Sequence, residues 1–292
     1  MLNKILFIIA LGLLLSANGT QAQTTPAQAA KIRGKVIAVR VEGTVSYSPK
    51  SGGASTVLHS GDVFYDGTEV VTGPGASVVL VFDNGARLNV AGDSTLDVDQ
   101  FVLDPFATPE KVSDLKSEPS TSVTRLSLAR GELVGKVAHL NIDKGSEFTV
   151  QTPVGAAGIR GTTFQIIYTP SSDGKAFFTV LTSEGQVVFT GTTSAPLNIP
   201  AGKQVVVTFS VTTASNGTPV ASTPVVVTNA SPTSLTQIEA ISQGIIQATL
   251  SSTVSTGSGG TSGTPPPTTP PNNTPSNPVP AAAQPTPGAG SS

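Results

Sequence analysis

From Lys35 to Val211 one pattern repeats: a short run of Val, Ile, Leu or Phe, then a glycine-containing turn, with few stretches long enough for a helix. Such a chain buries its apolar groups by assembling many short strands, so an all-β domain over 35–211 is expected. Strands read at 36–39, 69–71, 78–82, 87–90 and 95–98, then at 126–128, 133–137, 148–150, 163–168, 176–181, 186–189 and 204–211. Several alternate one face in, one face out. The run Val78-Val79-Leu80-Val81-Phe82 does not, and a continuously apolar strand needs cover on both faces. That favours a wrapped or two-layered β structure, solenoid-like or sandwich-like, since both yield short strands punctuated by glycine. Asp66-Gly67 and Asn84-Gly85 read as hairpin turns, because these residue types accept the positive φ of primed turns.

Two segments break the pattern. Residues 104–122 are charged and contain Pro105, Pro109 and Pro119, so they read as an inserted, mobile loop with one helical turn near 111–116. Asp104, Lys111, Asp114, Lys116 and Glu118 make this loop a candidate interaction surface. Residues 234–250 carry Leu235, Ile238, Ile241, Ile245 and Ile246 at three- and four-residue spacing, which predicts a helix weakened by Gly244. The helix is expected to pack on the end of the β domain or to dock on a partner, with 23–34 a linker and 212–233 a linker or strand. Thr72-Gly73-Pro74-Gly75-Ala76 and Thr152-Pro153-Val154-Gly155-Ala156 share a frame, but their flanks do not stay in register.

The ends read differently from the middle. Residues 1–22 have Lys4, an apolar run from Ile5 to Leu15, and small residues Thr20 and Ala22 at the positions a signal peptidase reads, so the mature chain is expected to begin at Gln23. The run falls short of the roughly 18–20 residues that span a bilayer, and no later segment is apolar enough either. Export to the periplasm or the cell surface is expected, with no integral membrane span after cleavage. Residues 251–292 are Ser, Thr, Gly, Pro, Asn, Ala, Gln and Val without a charge, which predicts a disordered tail.

Composition excludes several functions. Only 12% of residues are charged and the net charge is -2, so the electrostatic attraction that nucleic acid needs is missing. With no Cys there is no disulfide, thiolate metal site or cysteine nucleophile. The two histidines, His59 and His139, lack a Gly-x-Ser-x-Gly elbow to serve and read as surface residues. Asp97 and Asp99 would share a strand face near Asp93 and could hold calcium only weakly; a solvated face is the preferred reading. No cofactor, metal or catalytic residue is expected.

An ordered set of motifs carries a family resemblance. It runs from Leu58-x-x-Gly61-Asp62 through Val71 to Ala76, Val81-Phe82-Asp83-Asn84-Gly85-Ala86, Gly131-Glu132-Leu133 and Phe148-Thr149-Val150-Gln151-Thr152-Pro153. It closes with Gly158-Ile159-Arg160-Gly161-Thr162-Thr163-Phe164, Glu184-Gly185-Gln186-Val187 and Ala201-Gly202-Lys203-Gln204. Over roughly 36–207 the chain resembles the FecR protein domain, with Thr152-Pro153 and Arg160-Gly161-Thr162-x-Phe164 carrying most of the weight. The resemblance implies an extracytoplasmic β domain that senses or binds and is not an enzyme.

In the regulators that gave that family its name, the domain relays receptor occupancy through a membrane helix to a cytoplasmic anti-sigma segment. This sequence departs from that layout, because a cleavable-looking signal stands where a cytoplasmic segment would be. A binding partner is expected in an envelope protein or, alternatively, a cell-wall or surface glycan. Thr152, Pro153, Gly158, Arg160, Gly161, Thr162 and Phe164 are expected to be structural: the glycines allow close backbone approach at a bend or bulge, and Arg160 staples a crowded spot, with contact to a ligand or partner as its alternative role.

Overall fold

The computed structural model describes residues 30–191, 195–210 and 220–256. The expected signal at 1–22, cleavage before Gln23, and most of the expected tail lie outside these residues. The described chain is a wrapped β structure: the strand pairings close on themselves around one core, with one α-helix, Pro232–Ala248, laid against the outside. Among the described residues no helix is long and apolar enough to cross a membrane.

The short apolar runs become strands because alternation gives each an inward face. Their inward aromatics, Phe82, Phe101, Phe148, Phe164, Phe178, Phe189 and Phe209, are fully buried in one cluster. Phe82 meets Phe101 edge-on at 5.2 Å, and Phe178 lies 5.0 Å from Phe189, so the few large rings are spent on the core. Each buried ring is worth about 1.5–3 kcal/mol over leaving it exposed.

Several glycines expected to end strands instead bend them. The expected pairs at 126–128 and 133–137, and at 176–181 and 186–189, are single strands, Ser122–Lys136 and Lys175–Gly191. Residues 163–168 likewise belong to a longer strand, Gly155–Pro170. Ser122–Lys136 pairs first with Thr95–Leu103 and Glu147–Thr152, then with Arg87–Val90 and the far half of Gly155–Pro170. Its change of partners falls near Gly131, at φ +100°. A positive φ without chain reversal turns the strand across the core and lets one strand serve two sides of the wrap.

The hairpin expectations divide. Asn84-Gly85 does join two paired strands, Ser77–Phe82 and Arg87–Val90, with Gly85 at φ +83°. Asn84 is buried, accepts from the Ala86 N–H at 3.1 Å and donates to the hydroxyls of Ser122 and Thr124. Asp66-Gly67 is no hairpin. Val63–Phe64 pairs with Val36-Ile37, whereas Thr68–Thr72 pairs with Val45–Pro49 and Thr95–Leu103, so this glycine turns the chain between different neighbours. The shared Thr-x-x-Gly-Ala frame is not a structural repeat either: Thr152 bonds the Gly155 carbonyl within its own hairpin, whereas Thr72 bonds the distant Ala91 carbonyl.

The strand Ser77–Phe82 is covered on both faces, as its unbroken apolar run requires. Val78, Leu80 and Phe82 enter the core, and Val79 meets the helix. The helix begins two residues before the expected start because Ser231 caps it, accepting from the Ser234 N–H at 3.0 Å, and Pro232 fits the first turn. Its Ile238 and Ile245 are fully buried against Val79, Val134 and Leu181.

Val81 is covered by Val112 and Val254. The 104–122 segment is therefore packed: Glu110–Lys111 pairs with Thr253–Val254, and its helical turn is a 3-10 turn limited to Val112–Asp114. The first residues of the expected tail are likewise ordered. Val112, with Phe106 and Leu115 packed beside it, does the anchoring.

Two substitutions in the helix have opposite expected signs. Gly244→Ala should stabilise by about 0.5–1 kcal/mol, because a methyl there meets only Arg40 Nη2, at 3.8 Å. Ile238→Ala should cost about 2–5 kcal/mol. Urea unfolding of the two variants checks both values.

Candidate functional site

Next to the row that the helix covers, a polar row crosses four strands. Arg87 lies opposite Lys136, Lys136 opposite Thr163, and Thr163 opposite Glu184. Facing residues of antiparallel neighbours share a sheet face, so these side chains stand side by side. At one end Lys136 Nζ donates to Glu184 Oε2 at 2.7 Å and to Thr163 Oγ1 at 3.1 Å. Lys136, and then the Thr163 hydroxyl, hold the Glu184 carboxyl below its ordinary range. At the other end Arg87 is 5% exposed and its Nε has no hydrogen-bond partner. Burial alone pushes its guanidinium down from its ordinary value.

A cleft of about 400 Å³ opens over this row. Leu115 and Lys116 of the inserted segment line it together with His139, whose N–H donates to the Lys116 carbonyl at 3.0 Å, and with Gly161 and Thr162. The backbone there is tight. Gly161 has φ +59°, and a Cβ on it would lie 2.8 Å from His139 Nδ1; one on Gly185 would fall on the Gly161 carbonyl oxygen. The register of Gly155–Pro170 against Lys175–Gly191 breaks between Arg160 and Phe164, which is the bulge that the glycine spacing implies.

The expected motif residues scatter over several roles. Phe164 is a core ring and Thr162 is buried at the cleft with its hydroxyl unpartnered. Thr152 closes its hairpin on the Gly155 carbonyl at 2.8 Å, Pro153 is exposed, and Gly158 pairs with Val188 across the sheet. Arg160 corrects the expectation of a staple. It is exposed, on the opposite side of the bulge from the crowded interior, and forms no side-chain hydrogen bond or ion pair with a described residue. The buried guanidinium belongs to Arg87, which the motif reading missed.

The expected interaction loop also divides. Lys116 is exposed at the cleft, Lys111 is held in the pair with Thr253, and Asp114 accepts from the Ser113 hydroxyl at 2.8 Å. Asp104 pairs with Lys31 at 3.1 Å. Glu118 is buried and ties three segments together: it accepts from the Ser122 hydroxyl and the Asn141 N–H, each at 2.6 Å, and from the Ser146 hydroxyl. It is a brace for the loop and not a contact surface.

Asp97 and Asp99 do share a face, and Lys50 occupies it. The ammonium pairs with Asp97 at 2.8 Å and with Asp99, and those two bonds, Asp97 first, hold it well above its ordinary value. Asp93 turns away at φ +56°. Among the described residues no three His, Asp or Glu side chains gather to hold a metal. His59 is exposed beside Asp62, at 3.6 Å, and His139 stands at the cleft mouth.

The architecture is that of an all-β wrapped domain with a polar bulge at its motif. The family described as FecR protein matches residues 68–188, a span that contains the bulge and the whole polar row. That stretch is a FecR domain. Two crystal structures of a candidate anti-sigma factor from Parabacteroides distasonis ATCC 8503, at 1.65 and 2.50 Å resolution, are similar at 14% identity, with TM-scores of 0.39 and 0.38. Each match covers 57% of this chain and 62% of that chain, so the chain spans less than two thirds of the solved structures it matches. No curated protein matches the chain.

Three outcomes follow from this geometry. Arg160→Ala should change stability by no more than about 0.5 kcal/mol, whereas Glu118→Ala, which strands three donors, should cost about 2–3 kcal/mol and expose 104–122 to protease; denaturant melts and limited proteolysis read both. Glu184 has a depressed pKa, so its contribution is present above the ordinary glutamate value of 4.5 and fades as pH falls through its folded value. The stability gap between wild type and Glu184→Gln should therefore close on acidification, as melts at stepped pH would show.

Proposed function

We propose that this chain is a non-catalytic, extracytoplasmic FecR-domain module of the bacterial cell envelope, working as a sensor or adaptor by binding another protein. The observation that carries the reading is the family match over 68–188. Export is supported by the signal-like residues 1–22.

The outer sheet surface adds to the case for a protein partner. Phe177 and Val206 are 54% and 56% exposed. Register places Thr169, Phe177 and Thr208 in one row and Ile167, Thr179 and Val206 in the next, so the patch is uncharged and partly apolar. Bare apolar surface of this kind, rimmed by threonine, is what a protein partner covers.

The test is an in-cell photo-cross-link from the variant Phe177→p-benzoylphenylalanine, followed by recovery from the envelope fraction. One recurrent envelope protein, absent when the reactive group is moved to the equally exposed Val57, on a strand that pairs only with Val45–Pro49, supports the reading. Recovery with wall glycan alone would replace it with a structural or glycan-binding surface protein.

A further inference from the structure

Several charges on this sheet have a counter-charge, and others without one, such as Arg130 and Arg160, are exposed to water. Lys50 has Asp97 and Asp99, Arg125 has Glu147 at 3.0 Å, and Arg33 has Asp66 at 2.5 Å. Arg87 is the departure. Its cross-strand neighbours are Val81 and Lys136, an alkyl group and a second cation. The row's acid, Glu184, is already taken by Lys136. A buried charge without a counter-charge is strongly destabilising, and like charges side by side add to that.

The surroundings say what would answer it. Arg87 lines the cleft, and so does Thr162, whose hydroxyl is buried and unpartnered. A planar guanidinium and a hydroxyl donor suit a carboxylate, which accepts from both. Leu115, Val137 and Ala138 provide apolar wall beside these donors. Glu184, already paired with Lys136, is the one acid of a lining that also holds Lys116, so it is the apolar wall and not charge that favours a carboxylate on an alkyl stem over phosphate.

We propose that this cleft binds a carboxylate carried on a short apolar stem, with Arg87 as its anchor and Thr162 as a second donor. The carboxylate could belong to a free small molecule or to an acidic side chain of a partner polypeptide; the chemistry is the same. The proposal deepens the binding reading above, yet it stands on its own measurement. Butyrate binding can fail while the cross-linked partner is still recovered, and the reverse.

The experiment is an NMR and thermal-melt titration of the full chain with sodium butyrate, against sodium chloride at equal ionic strength. Saturable shifts of the Gly161, Thr162 and Gly185 amides and a rise in melting midpoint specific to butyrate are expected. Arg87→Met should abolish both while melting no lower than unliganded wild type, because it removes an unanswered buried charge. Arg87→Lys keeps the charge without the fork and should weaken butyrate at least about tenfold; Thr162→Val should weaken it about fivefold.

A doubly capped peptide with one glutamate separates the sources. Competition at the same amides identifies a polypeptide carboxylate, and butyrate binding without competition a free one. The proposal is overturned if butyrate acts no differently from chloride, if its effect survives in Arg87→Lys undiminished, or if inorganic phosphate binds the same amides more tightly.

Discussion

The double-sided burial of Ser77–Phe82 governs the rest of the structure. Core packing uses Val78, Leu80 and Phe82, which leaves Val79 and Val81 facing outward with no polar group to spend on water. Both must be roofed, and nothing adjacent in sequence can do it. The roof for Val79 is the helix Pro232–Ala248; the roof for Val81 is Val112 from the inserted segment and Val254 from beyond the helix. One strand's composition thus decides that a β domain carries an outer layer and that two distant segments are tied to it.

That outer layer is also what traps Arg87. In the alternation Arg87-Leu88-Asn89-Val90 the arginine points outward with Val81, and on an open sheet it would be solvated. Leu115 packs so closely over the neighbouring turn that a Cβ on Gly85 would collide with its Cδ1. The guanidinium is therefore buried by a cover that Val81 requires. Sliding the strand by one residue to free it would turn Leu88 and Val90 out of the core, so the register holds the charge where it is.

Legibility followed the range of the interaction. Alternation and unbroken apolar runs are local, and they placed the strand at 87–90, the two-sided cover of 78–82, the helix and the bulge at Gly161. Glycine's positive φ is local too, but whether it reverses a strand or bends it depends on which strand lies alongside. Gly131 and Gly185 therefore read as breaks where the structure has continuous strands. The site suffered most from this limit. Arg160 stands out in sequence because of its glycine neighbours, yet it pairs with Gln186 just before the bulge, and with Ile159 buried the alternation turns it outward. Arg87 has no distinguishing neighbours, and its burial depends on Leu115, which lies outside its own strand pair. The useful local signal was Asn89 beside it: a polar alternation on an outer face that Val79 and Val81 show must be covered.

The cleft is accordingly built from parts of unequal firmness. Its floor is the row from Arg87 to Glu184, carried on four long-paired strands whose ladder is interrupted only at the bulge beside Thr163. Its roof hangs from a two-residue strand pair, Glu110–Lys111 with Thr253–Val254, from the Phe106 N–H to Thr256 Oγ1 bond at 2.6 Å, and from the Glu118 brace. A two-residue ladder is marginal alone and opens before the wrapped core does. Part of what steadies Leu115 over the cleft thus also fixes the chain as it leaves the helix. Residues 251–256 depend on the roof for their order, whereas the far end of the roof is also held by backbone bonds between His139 and Lys116 at 3.0 Å and between Glu118 and His139 at 2.9 Å.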